Sequence, residues 1–88
     1  MDRIQAMQMF MRVAEAGSFV RAAETLSLPA STVTSTIKNL EKYLKVRLLN
    51  RTTRRVSLTP EGMQYLAQCR EILALIEHSE STLSESVA

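Results

Sequence analysis

The chain of 88 residues has little of what several classes of protein need. It contains two glycines, two prolines, two phenylalanines, two tyrosines and no tryptophan. So few turn-forming residues argue against a sandwich or barrel of many short strands and exclude a glycine-rich phosphate-binding loop. The single cysteine, Cys69, excludes an intramolecular disulfide, and with one histidine, His78, a zinc site is not expected.

Long apolar runs are also missing, and no segment has the length of a membrane-spanning helix. The N-terminus, MDRIQAM, lacks the charged-then-apolar order of a signal peptide. A composition of 45% hydrophobic and 23% charged residues is that of a globular protein, and the length allows one domain. We therefore expect a mostly helical cytoplasmic domain without cofactor, metal or membrane partner. No catalytic constellation is present, so the expected protein is not an enzyme.

The formal net charge of +2 conceals a segregation of charge along the chain. Residues 38–55 carry seven basic residues and one acid, Glu41, whereas residues 56–88 carry one arginine and five glutamates. A dense basic block between a neutral and an acidic segment favours a polyanionic partner such as nucleic acid. A solvated basic face without a partner is the alternative explanation.

The first 28 residues predict two helices. Residues 4–16 place their apolar side chains on one helical stripe, formed by Ile4, Met7, Phe10, Met11, Val13 and Ala14. Gly17 fits the left-handed position that follows a helix, and Ser18 fits the N-cap of the next one. The buried side of this short second helix is predicted to consist of Phe19, Ala22, Ala23 and Leu26.

A third helix is predicted after Pro29, with buried residues Val33, Ile37, Leu40 and Leu44 spaced by four, three and four. Two helices joined by a turn of about four residues are typical of a helix-turn-helix, whose second helix enters the major groove N-terminal end first. Serines and threonines on the exposed side can contact base edges and phosphates. Because they form surface helices poorly, a role beyond helix stability is indicated. A polar face on an ordinary helical bundle is the alternative.

A two-stranded hairpin, or wing, is predicted from residues 47–51 and 55–58, which flank Thr52-Thr53-Arg54. Since a lone hairpin is only marginally stable in water, its leucines and valine are expected to lean on the helices. Arg54 at the tip has the charge that a narrow minor groove attracts. A solvated turn rich in arginine and threonine is the alternative.

The last helix opens with Thr59-Pro60-Glu61, which combines an N-cap, a proline at the first helical position and an acid in the first turn. Seam positions then step by three and four, in the order Leu66, Cys69, Leu73, Ile76, Glu80, Leu83 and Val87, and all of them except the charged Glu80 are apolar. This heptad seam predicts homodimerisation, while Tyr65 and Ile72 widen it so that one side can face the first helix. Packing of the whole seam within the chain is the alternative. A helix of some 25 residues, about 37 Å long, would however overhang so small a domain.

Residues 4–67 resemble the N-terminal winged helix-turn-helix domain of LysR-type transcriptional regulators, and residues 68–88 resemble the linker helix of that family. The residues that carry the resemblance are Val13-Ala14-Glu15-Ala16-Gly17-Ser18-Phe19, Ala22-Ala23, Leu26, Ser31-Thr32-Val33-Thr34, Ile37, Leu40-Glu41 and the run from Leu44 to Gly62. The resemblance implies a sequence-specific bacterial transcription factor that binds a pseudo-palindromic promoter operator as a dimer with antiparallel linker helices. It divides the chain into a DNA-binding domain (1–58) and a linker helix (59–88). It also implies a following effector-binding domain for a small molecule, which is absent from this chain.

The resemblance also implies individual contacts. By similarity, Ser18 holds a phosphate at a helix N-terminus, the start of the third helix reads the major groove, Arg51 holds a phosphate and Arg54 enters the minor groove. The expected DNA-binding residues are Ser18, Ala30, Ser31, Thr32, Thr34, Ser35, Lys38, Arg51, Thr53, Arg54 and Arg55. The expected dimerisation residues are Leu66, Cys69, Leu73, Ile76 and Leu83.

The third helix departs from the family pattern at its start: Pro29 and Ala30 occupy positions where family members often carry serine and glutamine. Ala30 cannot make the bidentate base contacts of a long polar side chain. Readout is therefore expected to rest on hydroxyl and methyl contacts, on the wing and on DNA shape. A different class of function is a winged-helix protein-interaction module, in which the basic block only provides solubility. Such a module would show no salt-dependent affinity for DNA.

Overall fold

The computed structural model describes residues 1–51 and 55–87. In this part of the chain three helices precede a two-stranded antiparallel sheet, and a long helix follows it. The elements are α1 (Arg3–Ala16), α2 (Phe19–Leu26), α3 (Ala30–Leu44), β1 (Leu49–Arg51), β2 (Val56–Leu58) and α4 (Pro60–Val87). The prediction of a mostly helical winged helix-turn-helix followed by a long helix is confirmed.

Local sequence signals set the ends of the first three helices. Asp2 accepts a hydrogen bond from the Gln5 N–H and begins α1, and Ser18 does the same for α2 through the Arg21 N–H. Gly17 ends α1 in the left-handed region at φ 67°, as predicted. Two further left-handed residues, at the ends of α2 and α3, are not glycines: Ser27 and Lys45. Each of these three helices therefore ends at one left-handed residue, which lets the chain reverse within a short turn.

The core lies between α1, α2 and α3 and is closed by α4 and the leucines that lead into β1. The largest fully buried side chains are Phe10, Val13, Val33, Ile37, Leu40, Leu48, Leu49 and Cys69. Ala22 and Ala23 are buried and allow α2 to approach its neighbours closely. In α1 the stripe differs from the prediction: Met9 is buried, whereas Ile4 is 45% exposed. The reason is that α1 contacts α2, α3, α4 and β2, so its buried surface is wider than one stripe. The first turn of α1, which contains Ile4, lies outside this buried surface.

The wing pairs Leu49 with Leu58, Asn50 with Ser57 and Arg51 with Val56. Its strands are shorter than the predicted segments, because residues 47, 48 and 55 lie outside the paired ladder. Alternation along β1 turns Leu49 into the core and leaves Asn50 exposed. Thr52, Thr53 and Arg54 lie outside the described residues, so the predicted contacts of Thr53 and Arg54 stay predictions.

A buried junction joins the wing to the start of α4. The Thr59 hydroxyl donates to the Arg47 carbonyl oxygen (2.6 Å) and accepts from the Gly62 N–H (2.9 Å), while the Thr59 N–H donates to the Leu48 carbonyl oxygen (3.0 Å). A Cβ at Gly62 would overlap with that same carbonyl oxygen. The run from Leu58 to Gly62 is thus a structural joint between the wing and α4.

The structure corrects part of the predicted dimer seam on α4. Cys69 has no exposed surface and Leu66 is 8% exposed, because both pack into the protomer's own core against α1. A partner chain cannot contact the Cys69 side chain without unfolding this packing. Leu73 and Ile76 are half-buried, and Leu83 is exposed. The seam therefore begins as an internal contact and becomes accessible only in the second half of the helix.

Candidate nucleic-acid interface

One face of α3 is polar and exposed along its whole length. Ser31, Ser35, Lys38 and Lys42 are exposed and follow one another at intervals of four, three and four residues, which places them in one row. This row lies on the side opposite the buried Val33, Ile37 and Leu40. Thr32 is exposed at its edge, and Ala30 and Thr34 are half-buried. Of the predicted residues of α3, the structure thus places Ser31, Ser35 and Lys38 in one exposed row, and the other three lie beside it.

Two threonines of α3 have restricted hydrogen-bonding capacity. The Thr34 hydroxyl donates to the Ala30 carbonyl oxygen (3.0 Å), and the Thr36 hydroxyl donates to the Thr32 carbonyl oxygen (2.8 Å). Since each hydroxyl carries a single hydrogen, its oxygen can then only accept. Acceptors of this kind match the amino groups that adenine and cytosine present in the major groove.

A cleft of about 550 Å³ lies beside this helix pair, between the α1–α2 turn and the start of β2. It is lined by Ala16, Gly17, Ser18, Arg21, Arg55 and Val56. The Ser18 oxygen accepts from the Arg21 N–H (3.3 Å), which leaves its own hydrogen available to an anion. The positive end of α2 and two guanidinium groups face the same cleft. Sequence reasoning named Ser18 and Arg55 but missed Arg21, whose position three residues after the cap was the available signal.

A buried carboxylate connects α3 to the wing. Glu41 accepts from the Leu48 N–H (2.8 Å) and the Leu49 N–H (3.2 Å) through Oε2, and from Arg51 Nη2 (2.9 Å) through Oε1. Burial alone would raise the pKa of the Glu41 carboxyl. The two backbone hydrogen bonds, the hydrogen bond from Arg51 and its positive charge outweigh burial and hold this pKa below its usual value. Glu41 is thus a charged residue that anchors the wing to α3. The sequence showed it only as the single acid of residues 38–55 and did not predict this role.

Arg51 lies mostly inside the molecule. Its side chain is 23% exposed, its guanidinium carbon is 5.4 Å from the centroid of the Phe19 ring, and its Nε is buried without a hydrogen-bond partner among the described residues. The side chain therefore contacts α3 through Glu41 and α2 through Phe19 while it belongs to β1. The expected phosphate contact of Arg51 stays a prediction, and the contacts present are internal.

A second apolar row, which we call the α4 ridge, consists of Ile72, Leu75 and Leu83. These side chains are 44%, 68% and 67% exposed, and they follow the helix beside the row that packs on α1. Two grooves run along α1 and α4, with volumes of about 410 and 340 Å³, and both are lined by Gln8 and Leu73. Sequence reasoning noted Ile72 but missed Leu75, although the spacing of three between them indicates a shared face.

Within residues 1–51 and 55–87, none of the helices combines the length and apolar character that crossing a membrane requires. The same residues contain no group of three histidine, cysteine, aspartate or glutamate side chains placed to hold a metal ion.

Comparison with known sequences finds a family of the same architecture. The family described as bacterial regulatory helix-turn-helix protein, lysR family, matches residues 4–63. An HTH-type transcriptional repressor of Pseudomonas aeruginosa is 48% identical over 88 residues, which are 100% of this chain and 28% of that protein. The chain thus spans less than a third of the length of this curated relative.

Comparison with solved structures finds the same fold on DNA. The chain is similar to the BenM DNA-binding domain in its complex with catB site 1 DNA, with a TM-score of 0.93 and 28% identity over 97% of this chain and 96% of that one. It is similar to the CbnR DNA-binding domain in a DNA complex, with a TM-score of 0.92 and 32% identity over 97% and 98% of the two chains.

Proposed function

The chain belongs to the LysR family of bacterial regulatory helix-turn-helix proteins, and on that premise we propose that it is the DNA-binding domain of a transcription regulator. The observation that carries the proposal is the exposed row of hydroxyl and ammonium groups on α3, the second helix of the helix-turn-helix. A face of this kind suits contact with base edges and phosphates and contributes nothing to the core.

The N-terminal half of α3 enters the major groove in this proposal. Ser31 and Ser35 meet base edges or phosphates, and Thr34 accepts from a base amino group. Ala30 and Thr32 offer methyl groups to thymine methyls, and Lys38 neutralises a phosphate. The absence of long bidentate side chains at the start of α3 leaves part of the sequence preference to the wing and to DNA shape.

The cleft of Ser18, Arg21 and Arg55 holds a backbone phosphate in this proposal. A phosphate there would accept from the Ser18 hydroxyl and pair with the guanidinium groups at the positive end of α2. Such a contact fixes the register of the domain on the duplex without reading sequence. Thr53 and Arg54 of the wing meet the minor groove, by resemblance to the family.

The operator-bound form is a homodimer in this proposal. The α4 ridge is the apolar surface that a second copy would cover, with Leu73 and Ile76 at its edge. Two recognition helices would then lie in successive major grooves, about 34 Å apart, on a pseudo-palindromic site. The chain matches less than a third of its relative's length. We therefore also propose that the whole regulator has an effector-binding domain and that it binds DNA in the cytoplasm.

A salt titration of DNA binding tests the proposal. Fluorescence anisotropy would compare a fragment from the gene's own promoter with random DNA of equal length. We expect tight, salt-sensitive preference for the promoter fragment with two protomers per site, because each neutralised phosphate releases counterions. Equal affinity for both DNAs would contradict sequence-specific binding by the isolated domain. No binding to either DNA at low salt would overturn the proposed function and favour a protein-interaction module.

A further inference from the structure

We infer that Glu41 and Arg51 are positioning residues: they fix the wing relative to α2 and α3, and in that role they affect DNA binding through the wing. The inference rests on the proposed function and assigns to these two residues a part of it that needs no contact with DNA. Its basis is a chain of contacts that runs from α3 through Glu41 to β1 and through Arg51 back to α2.

The first step is the attachment of β1 to α3. The Glu41 Oε2 atom accepts from two consecutive backbone N–H groups, those of Leu48 and Leu49, at the entry to β1. Both residues are fully buried, so these N–H groups have no access to water. A buried N–H needs a partner, and here that partner comes from the recognition helix. One side chain of α3 therefore holds the backbone of residues 48 and 49 at the entry to β1.

The second step is the attachment of the wing to α2. The Arg51 guanidinium binds Glu41 Oε1 at 2.9 Å and lies 5.4 Å from the Phe19 ring centroid. Phe19 is the first residue of α2 and follows Ser18, which lines the cleft proposed to hold a phosphate. The same guanidinium thus ties the wing to both helices of the helix-turn-helix.

The third step is that the paired strands of the wing are too short to fix its direction by themselves, while the Thr59 junction with α4 bonds residues 47 and 48, outside those strands. Its strands contain three residues each, and a hairpin of that size is marginal without support. Glu41 is also the one acid in the basic block of residues 38–55. An exposed carboxylate there would repel phosphates, whereas a buried one paired with Arg51 does not. Support of the wing therefore explains why an acidic residue, Glu41, stands within this basic block.

Double-mutant cycles test the inference with the full chain and the promoter fragment. Glu41→Gln keeps the size of the side chain and one acceptor oxygen but loses the charge that pairs with Arg51. We expect a loss of affinity of about tenfold, and a loss of at most about threefold when Arg55→Ala has already removed a wing cation. In the Lys38→Ala background the tenfold loss should persist, because the proposed contact between Lys38 on α3 and a phosphate is independent of the wing.

A merely structural role would give a different result. If Glu41→Gln only destabilised the fold, its loss would be the same in the Arg55→Ala and Lys38→Ala backgrounds, and the inference would be wrong. A Glu41→Gln variant that binds like the wild type would also overturn it. Failure of the wild-type chain to bind any DNA would instead contradict the proposed function, so the two failures are distinguishable.

A second variant keeps the test valid if Glu41→Gln fails to fold. Phe19→Leu removes the ring beneath Arg51 and keeps an apolar side chain, with folding checked by circular dichroism. We expect a smaller loss, about threefold, that again disappears with Arg55→Ala and persists with Lys38→Ala. A loss that persists with Arg55→Ala and disappears with Lys38→Ala would contradict an action through the wing.

Discussion

At the scale of single residues, the side chains of the interface differ in how much freedom the fold leaves them. Ser31 and Ser35 are exposed on α3, whereas the Thr34 and Thr36 hydroxyls already donate to backbone carbonyl oxygens. If α3 reads bases as proposed, it does so with short acceptors and methyl groups more than with long bidentate side chains. Short side chains reach base edges only when α3 lies deep in the groove. The depth of α3 in turn depends on how α2 and the wing are held beside it.

The two glycines allow a residue-scale prediction about the joint at the start of α4. Gly62→Ala should destabilise the domain by about 2 kcal/mol, because the new methyl group would overlap with the buried Leu48 carbonyl oxygen. Gly17→Ala is the matched control, since a Cβ there meets no atom and only the left-handed conformation is unfavourable, at about 1 kcal/mol. Urea unfolding of both variants gives the comparison. Equal stability of the two variants would show that the joint is not tightly packed.

Sequence reasoning succeeded at residues whose role is local. Gly17, Ser18 and Thr59-Pro60 indicate helix ends because each cap forms its bonds within a few positions. It failed at Glu41, whose burial depends on N–H groups seven and eight residues away and on Arg51, ten residues away. No periodicity of α3 indicates that a charged side chain has partners at such separations.

At the scale of elements, the Glu41 anchor makes the stability of the wing depend on pH. A carboxyl whose pKa is lower in the folded than in the unfolded state stabilises the fold above its unfolded pKa, about 4.3. That stabilisation is lost as the pH falls through the folded pKa. Because hydrogen bonds and the charge of Arg51 lower the Glu41 pKa, the anchor should be intact at neutral pH and weaken below about pH 4.

The corresponding experiment compares the free energies of unfolding of wild type and Glu41→Gln from pH 7 to pH 3. We expect Glu41→Gln to be less stable by about 2 kcal/mol at pH 7, since three hydrogen bonds to a buried carboxylate are weakened. The gap should narrow as the pH falls through the folded pKa. The difference in the free energy of unfolding between the two proteins cancels the titration of the other carboxyls. A difference that stays constant from pH 7 to pH 3 would contradict the role of Glu41 as a charged anchor.

The long helix shows where element-scale prediction from sequence stops. Two apolar rows share α4, one through Leu66, Cys69 and Leu73 and one through Ile72, Leu75 and Leu83. The heptad pattern identifies the first row but cannot say that this row packs on α1. The heptad pattern therefore predicted an interface at Cys69, where the structure has core, and passed over Leu75.

At the scale of the whole molecule, the overhanging half of α4 is where we propose that a second copy binds. The molecule extends over 50 Å in its longest direction and 26 Å in the next, since α4 continues beyond the helices that it covers. Its exposed ridge is apolar, and a surface of this kind is typical of a protein interface. Dimerisation would place two α3 helices on one duplex and so raise the affinity of each through the other.

Leu75→Glu tests this interface. We expect a folded monomer whose affinity for the promoter fragment falls by about 100-fold, because a charge on the ridge prevents burial and the gain from the second α3 is lost. Light scattering after size-exclusion chromatography gives the mass. Met63→Glu, at a similarly exposed methionine on the other flank of the core row, should stay dimeric. Dimers of both variants, or monomers of both, would contradict an interface at the α4 ridge.

The measurement that tests the central claim most directly is the salt dependence of promoter binding for two variants that remove one exposed positive charge each. Lys38→Ala changes the exposed row of α3, and Arg70→Ala changes an exposed arginine of α4 away from it. If α3 lies in the major groove, Lys38→Ala should lower the slope of log affinity against log salt by about one, while Arg70→Ala leaves it unchanged. Equal slopes for both variants and the wild type would contradict the assignment of α3 as the DNA-reading helix.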